Sequence, residues 1–211
     1  MKAGRIKVAT REFSVVDIPI PTPNANQVLI EVKAAGVCLS DVHLLDGTLK
    51  PGYLKSDSVT LGHEVSGVIN KLGNEVTNLN VGDRVIVIAG SRNERGQITT
   101  LGFDYDGGYA EYVVAHSDLV IKIPDSLSFE EAAIIPDAVS TPWSAISSTA
   151  NMKSGESVAV FGVGGLGIHA VQLLKLVGCN PIIAIDPRPE ARQKALEVGA
   201  THCFSPDDPE L

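Results

Sequence analysis

The sequence predicts an α/β fold class with an additional all-β part. Short apolar runs divided by Pro and Gly fill the chain up to about residue 125, and strands alternate with helices from about residue 154. The 211 residues are 44% hydrophobic and 20% charged, which is a globular composition and excludes a disordered or collagen-like chain. At roughly 100–200 residues per domain, the length fits one large domain or two small ones.

Charge and cysteine usage narrow the classes of partner. The net charge of -8 disfavours a nucleic-acid partner and a negatively charged membrane surface. No apolar run approaches the ~20 residues of a membrane span. The cysteines, Cys38, Cys179 and Cys203, are too few and too scattered for a disulfide framework. We therefore predict a cytoplasmic protein, with Cys179 and Cys203 as packing residues.

The sequence pattern predicts strands in the first part of the chain, up to about residue 125. Residues 28–34 are apolar at every second position, which is the period of a half-buried strand. Similar short runs follow the same rule, at 13–18, 64–71, 84–88, 109–114 and 119–123. Many short strands with turn signals between them favour a small barrel or a partly open sandwich.

Helix signals follow this part. Ser128 and Glu131 have the spacing of a capping box, which predicts a helix start. Thr141 followed by Pro142 predicts a second start, because Pro suits the first helical position. Beyond them, the pattern predicts strands at 157–161, 181–185 and from 203, with helices at 166–177 and 190–198. This β-α-β-α-β order implies a parallel sheet.

A glycine loop lies between the first of these strands and its helix. Its residues fit G-x-G-x-x-G and are Gly162, Val163, Gly164, Gly165, Leu166 and Gly167. The glycines permit a tight turn, close approach of backbone to a pyrophosphate and close helix–strand packing, while the helix N-terminus offers free N–H groups. The strand and helix context predicts dinucleotide binding rather than a glycine-rich turn without a ligand.

Asp186 ends the second strand of this part, where a carboxylate accepts hydrogen bonds from an adenosine ribose. A carboxylate there would repel a 2′-phosphate, which favours NAD over NADP. Arg188 and Arg192 are close in sequence and weaken that preference.

Cys38 and His63 form a possible metal constellation, because a thiolate and an imidazole are good Zn²⁺ ligands. Their separation is too long for a zinc finger, so they would meet only through the fold. Taken alone, the two residues favour a buried cysteine and an unrelated histidine over a pair of metal ligands.

Four motifs together resemble zinc-dependent medium-chain alcohol dehydrogenases, in order and spacing, over about residues 1–205. They are Cys38-x-Ser40-Asp41-x-His43, Gly62-His63-Glu64-x-x-Gly67, Val81-Gly82-Asp83-Arg84-Val85 and the glycine loop. The resemblance implies a GroES-like partly open β-barrel, at residues 1–150, followed by the first half of a Rossmann doubly wound sheet, at 151–211.

The resemblance also implies a catalytic Zn²⁺. Cys38 and His63 match its first two ligands, and Asp137 stands where the third is Cys in many members and a carboxylate in some bacterial ones. Glu64 matches a residue that can approach the metal from the far side. Asp41 matches a carboxylate that orients the ring of His63.

By the same resemblance, the protein would interconvert a small alcohol and its aldehyde or ketone. Zn²⁺ favours loss of the alcohol proton, and hydride passes to the nicotinamide. Ser40 matches the hydroxyl that takes the proton, and His43 matches the outer end of the relay to solvent. Each has a plainer alternative: Ser40 as a helix N-cap and His43 as a solvated surface histidine.

The chain departs from the family in two respects that bear on function. Residues 89–108 contain no cysteine, so we expect no structural zinc. Family members continue beyond residue 211, which implies a C-terminally truncated chain, and their dimer contacts fall largely there, so the resemblance allows a homo-oligomer. Two other functions stay open: a zinc-free quinone reductase relative, and a non-catalytic fragment that binds zinc or nucleotide.

Overall fold

The computed structural model describes residues 1–93 and 95–209, which belong to two compact units. The first unit is Met1–Asp137 and the second is Ala138–Leu211. The domain boundary predicted after residue 150 lies inside the second unit and stays a prediction. None of the helices in the described ranges is long and apolar enough to cross a membrane.

The first unit is built mainly from strands. In chain order these are β1 Lys2–Lys7, β2 Glu12–Asp17, β3 Gln27–Gly36, β4 Ser58–Thr60, β5 Glu64–Leu72, β6 Arg84–Val87, β7 Gly90–Arg92, β8 Ile98–Thr100, β9 Tyr112–His116 and β10 Val120–Lys122. Its helices are α1 Leu39–Asp46 and α2 Phe129–Ala133. The predominance of short strands confirms the all-β part.

Antiparallel pairing arranges these strands in three sheets. The largest has the order β10-β6-β5-β3-β9, and the others are β2-β1-β4 and β7-β8. Val28 and Ile30 of β3 are fully buried, together with Val65 of β5 and Val85 of β6. Leu29, between Val28 and Ile30, is also buried at 5% exposure, so β3 is a strand as predicted but is covered on both faces near its start rather than half-buried.

The second unit contains the predicted β-α-β-α-β run. Its elements are α3 Ser140–Ser144, β11 Val158–Phe161, α4 Gly165–Val177, β12 Ile182–Ile185, α5 Pro189–Val198 and β13 His202–Phe204. The three strands form a parallel sheet in the order β11-β12-β13, with β11 at one edge. Cys179 is buried in the core of this unit and Cys203 packs against it, as expected for packing residues.

The two predicted helix starts have different outcomes. Ser128 forms the capping box: its Oγ accepts from the N–H of Glu131 at 3.2 Å, and the Glu131 carboxylate accepts from Ser128 N at 3.0 Å. Thr141 is wrong as a cap, because α3 begins at Ser140 directly after a π-helical turn, Ile135–Val139. The backbone is already helical there, so no start has to be capped.

Candidate metal centre and nucleotide loop

Cys38 is placed by the junction of β3 and α1. Its backbone is extended, with φ -106° and ψ 152°, and it is the residue that precedes the first turn of α1. The side chain of Asp41 accepts a hydrogen bond from Cys38 N at 3.1 Å. The helix cap is therefore Cys38, and the alternative of Ser40 as the cap is wrong.

His63 lies immediately before β5 and is brought to Cys38 by strand pairing. Gly36, at the end of β3, stands opposite Glu64, at the start of β5. The residues that follow β3 and precede β5 therefore meet at one end of the sheet. The closeness of the two strands depends on Gly67, where a Cβ would lie 2.2 Å from the carbonyl oxygen of Glu31.

Asp137 completes the cluster from the π-helical turn that follows α2. Ser66 of β5 donates a hydrogen bond to the Phe129 carbonyl at 2.6 Å, which fastens the start of α2 to the sheet. One carboxylate oxygen of Asp137 lies 3.4 Å from Cys38 Sγ and 3.4 Å from His63 Nε2. The three donor atoms all lie within 4.8 Å of one another.

The geometry of Cys38, His63 and Asp137 fits a zinc ion. With Zn–N and Zn–O bonds of about 2.0–2.1 Å and a Zn–S bond of about 2.3 Å, neighbouring ligand atoms of a tetrahedral site lie roughly 3.3–3.6 Å apart. The two distances of 3.4 Å fall in that range. Three protein ligands leave one position open, as a catalytic zinc requires.

The electrostatics of His63 also suit a cation. The ring is buried, with 4% of the residue exposed. Burial opposes its protonation, but the nearby carboxylates of Asp137 and Asp41 outweigh this and raise the pKa of His63 to about 10. The carboxylates that stabilise a proton on this ring would equally stabilise a divalent cation at Nε2.

Asp41 lies behind the ring of His63. Its Oδ1 is 3.6 Å from His63 Nδ1, which is beyond hydrogen-bond distance, and Nδ1 has no hydrogen-bond partner among the described residues. A ligating histidine usually directs its second ring nitrogen at a carboxylate in this way. Burial raises the pKa of Asp41, but the nearby ring of His63 and hydrogen bonds from Cys38 N and Tyr109 lower it overall.

Tyr109 is a site residue that the sequence interpretation missed. Its hydroxyl lies 2.9 Å from Asp41 Oδ2 and 3.0 Å from the carbonyl oxygen of Gly36. Burial and the negative charge of Asp41 raise the pKa of Tyr109, so the hydroxyl keeps its proton. The sequence pattern predicts a strand at 109–114, but β9 begins at Tyr112. Tyr109 N instead donates to the Leu61 carbonyl at 2.8 Å.

Glu64, Ser40 and His43 lie around the cluster rather than in it. Glu64 is buried, and its carboxylate packs against Gly36, where a Cβ would lie 1.8 Å from the carboxylate oxygen. Ser40 Oγ is 3.6 Å from Cys38 Sγ. His43 is one turn further along α1 and partly exposed, with Nδ1 3.4 Å from Asp46 Oδ2.

The glycine loop joins β11 to α4. Gly162 has φ +82°, and nothing lies within 4 Å of the place where its Cβ would be. A Cβ on Gly167 would lie 1.9 Å from the Gly162 carbonyl oxygen, so the helix packs on the loop at a distance that only glycine permits. Leu166 is half-exposed. The open face beside Gly162 and the tight packing at Gly167 are what a pyrophosphate loop needs.

Asp186 supports this loop from the end of β12. It is 3% exposed, and its Oδ2 accepts a hydrogen bond from Val163 N at 3.0 Å. Hydrogen bonds from the side chain and backbone of Arg188 lower the pKa of Asp186 to about 2. An ionised carboxylate therefore stands beside the loop, where a ribose is expected.

Known proteins resemble the chain in both parts. The model of the alcohol dehydrogenase GroES-like domain matches residues 24–125, and that of the zinc-binding dehydrogenases matches residues 165–211. The chain is 38% identical to an alcohol dehydrogenase of Geobacillus stearothermophilus, over 98% of the chain and 64% of that protein. It is 36% identical to the (R,R)-butanediol dehydrogenase of Bacillus subtilis, over 95% of the chain and 62% of that protein.

Solved structures agree with these matches. The alcohol dehydrogenase of the hyperthermophilic archaeon Aeropyrum pernix superposes with a TM-score of 0.88 at 30% identity, over 100% of this chain and 66% of that one. The fold and the matching models define the class of zinc-binding dehydrogenases. The chain belongs to the zinc-dependent medium-chain alcohol dehydrogenase family, with a GroES-like partly open β-barrel and a Rossmann-type parallel sheet. It spans less than two thirds of the length of these relatives.

Proposed function

We propose that this protein is a zinc-dependent, NAD(H)-linked oxidoreductase that interconverts a small alcohol and its aldehyde or ketone. The observation that carries the proposal is the meeting of Cys38, His63 and Asp137 within 4.8 Å of one another. The names of the relatives, alcohol dehydrogenase and (R,R)-butanediol dehydrogenase, support the same substrate class.

The proposed metal ligands are Cys38, His63 and Asp137, with Glu64 as the residue that approaches from behind. A bound zinc would supply Lewis acidity, which makes an alcohol proton easier to remove. Asp41 holds the ring of His63 in orientation through the facing Nδ1. Since residues 89–108 lack cysteine, we propose one catalytic zinc and no structural one.

Ser40 and His43 are the proposed route for the proton. Ser40 Oγ lies 3.6 Å from the sulfur of Cys38, which supports a role for its hydroxyl beside a metal held there. His43 is one helical turn away and partly exposed, which suits a group that exchanges a proton with solvent. In the proposed relay, the Ser40 hydroxyl would give up its own proton as it accepts the proton of the alcohol, and the imidazole of His43 would pass a proton to solvent.

The proposed cofactor site is the loop Gly162–Gly167 together with Asp186. Free N–H groups at the start of α4 would bind the pyrophosphate, and the position of Asp186 beside the loop, where an adenosine ribose would bind, supports NAD as the cofactor. A bound nicotinamide would supply the hydride acceptor. The free cysteines are compatible with the cytoplasm, which we propose as the compartment.

Zinc content tests the proposal. The protein, stripped with chelator and reloaded, should bind one zinc per chain, and Asp137→Ala should bind zinc at least 10-fold more weakly. Asp118→Ala is a suitable control, because the Asp118 side chain is 81% exposed and belongs to neither proposed site. Equal zinc content in Asp137→Ala and the native protein would contradict the proposed ligand set.

NAD titration and turnover on a panel of small alcohols complete the test. NAD-dependent oxidation of an alcohol, lost after removal of zinc, would support the whole proposal. Binding of zinc and NAD without any turnover would instead favour a non-catalytic binding protein. Turnover of quinones without zinc would favour the zinc-free quinone reductase relative.

A further inference from the structure

The carboxylate of Asp186 is already saturated with hydrogen bonds. Among the described residues, four N–H groups donate to it. Oδ1 accepts from Arg188 N at 2.9 Å and Arg188 Nε at 3.0 Å, while Oδ2 accepts from Val163 N at 3.0 Å and from a terminal guanidinium nitrogen of Arg188 at 3.1 Å. A carboxylate offers about four lone-pair sites, so none is left for a ribose hydroxyl.

This saturation changes what the site presents to a nucleotide. A bare carboxylate would accept from the 2′-hydroxyl of NAD and repel the 2′-phosphate of NADP. Here the guanidinium of Arg188 covers the carboxylate as a two-pronged ion pair and cancels its charge. The repulsion that should exclude a 2′-phosphate is therefore largely removed.

Arg188 is also placed to contact the nucleotide itself. Its side chain is 54% exposed, and one of its terminal nitrogens lies 3.6 Å from the position that a Cβ of Gly164, in the phosphate loop, would occupy. A guanidinium binds phosphate oxygens through paired N–H bonds. Arg192, by contrast, donates to the backbone carbonyls of Asp186 and Pro187. These hydrogen bonds give it a structural role in the turn after β12.

We propose that Arg188 is a specificity-determining residue that makes this site accept 2′-phosphorylated adenine nucleotides as well as those with a free 2′-hydroxyl. With a 2′-hydroxyl, Arg188 moves aside and Asp186 accepts from the ribose. With a 2′-phosphate, Arg188 stays in place and binds the phosphate. The inference rests on the nucleotide site proposed above and deepens it.

Direct binding to the full chain tests this without turnover. Isothermal titration with 5′-AMP and with adenosine 2′,5′-bisphosphate compares the two ribose types using ligands that need only the adenosine subsite. The native protein should bind both, with dissociation constants within about 10-fold of each other. Arg188→Gln should weaken binding of the bisphosphate by about 10- to 100-fold, which corresponds to the loss of one or two charged hydrogen bonds, and should change 5′-AMP binding by less than about 3-fold.

Controls separate charge, geometry and folding. Lys194→Gln removes a cation from the exposed face of α5, where Lys194 pairs with Glu197, and should leave both affinities unchanged. Arg188→Lys keeps the charge without the paired N–H groups and should bind the bisphosphate with intermediate affinity. If Arg188→Gln does not fold, the test rests on Arg188→Lys. A native affinity of that variant for the bisphosphate, relative to 5′-AMP, would overturn the proposal.

Two further results would overturn it. One is a native protein that binds 5′-AMP but not the bisphosphate. The other is an equal loss of both ligands in Arg188→Gln, which would make Arg188 a structural residue of the loop. A native protein that binds neither ligand would refute the nucleotide site itself, and this outcome is distinguishable from both.

Discussion

Removal of one hydroxyl group tests whether the environment of His63 is organised for metal binding. Tyr109→Phe deletes the hydroxyl that lies 2.9 Å from Asp41 Oδ2. Asp41 would keep its hydrogen bond from Cys38 N, but its Oδ2 would lose a neutral donor that holds it beneath His63. We therefore expect Asp41, and with it the His63 ring, to be less firmly oriented.

The magnitude follows from the position of Tyr109, one step removed from the ligand. Loss of a partner that contacts a metal ligand weakens metal affinity about 10- to 100-fold. Tyr109 acts through Asp41, so we expect the lower end, a zinc affinity about 10-fold weaker, which equals about 1.4 kcal/mol. A hydrogen bond to a charged group contributes roughly 1.5–3 kcal/mol to stability, so the metal-free variant should also unfold more easily.

The assay is zinc titration against a chromophoric chelator, with the visible spectrum of the cobalt-loaded protein as a second readout. Tyr112→Phe in β9 is the matched control, because Tyr112 belongs to the neighbouring strand and not to the cluster. It should retain native zinc affinity and the native cobalt spectrum. A Tyr109→Phe protein that is less stable but has unchanged zinc affinity and spectrum would refute the positioning role.

Three other substitutions have expected outcomes. Gly167→Ala should destabilise the second unit by about 1–3 kcal/mol, because the new Cβ would lie 1.9 Å from the Gly162 carbonyl oxygen; urea unfolding with native stability would contradict this. Ser128→Ala should cost about 1 kcal/mol by urea unfolding, through loss of the capping box with Glu131, and no change would mean that the cap is energetically silent. Asp186→Asn tests pH dependence. The pKa of Asp186 is about 2 in the folded protein and about 3.9 in the unfolded chain. The unfolded chain therefore binds more protons between these two pH values. As a result, the carboxylate contributes stability above about pH 4, and this contribution is lost as the pH falls toward 2. The difference in melting temperature between the native and Asp186→Asn proteins should accordingly shrink over that range, and a constant difference would count against the shift.

Local sequence patterns predicted much of the fold. The alternation of β3, the helix α4 and the glycine loop each depend on residues that are neighbours in the chain, so periodicity and turn chemistry suffice to locate them. The same holds for the capping box at Ser128. The helix start predicted at Thr141 was wrong, because a capping residue followed by proline marks a helix start only when the preceding backbone is not already helical.

The sequence patterns did not predict the six-residue strand β1 or the short strands β4, β7 and β8. Each of the last three has only three residues, and such a segment carries too little alternation to be recognised. They form strands because a partner strand supplies their backbone hydrogen bonds. Tyr109 was misplaced for a related reason: its N–H pairs with Leu61, a distant residue, and not with β9.

The sequence by itself determined the chemistry that is available: the thiol of Cys38, the imidazole of His63 and the glycine loop, with the resemblance adding Asp137. Only the tertiary structure decided which groups meet. The register that sets Gly36 opposite Glu64 brings the first two ligands together, and the hydrogen bond from Ser66 fastens the start of α2, the helix that leads to the third. It also decided that Val163 N of the glycine loop donates to the carboxylate of Asp186, a residue distant in the chain. The sequence states which chemical groups are present. Which of them lie close together depends on long-range backbone pairing and packing, and no short window of sequence contains that information.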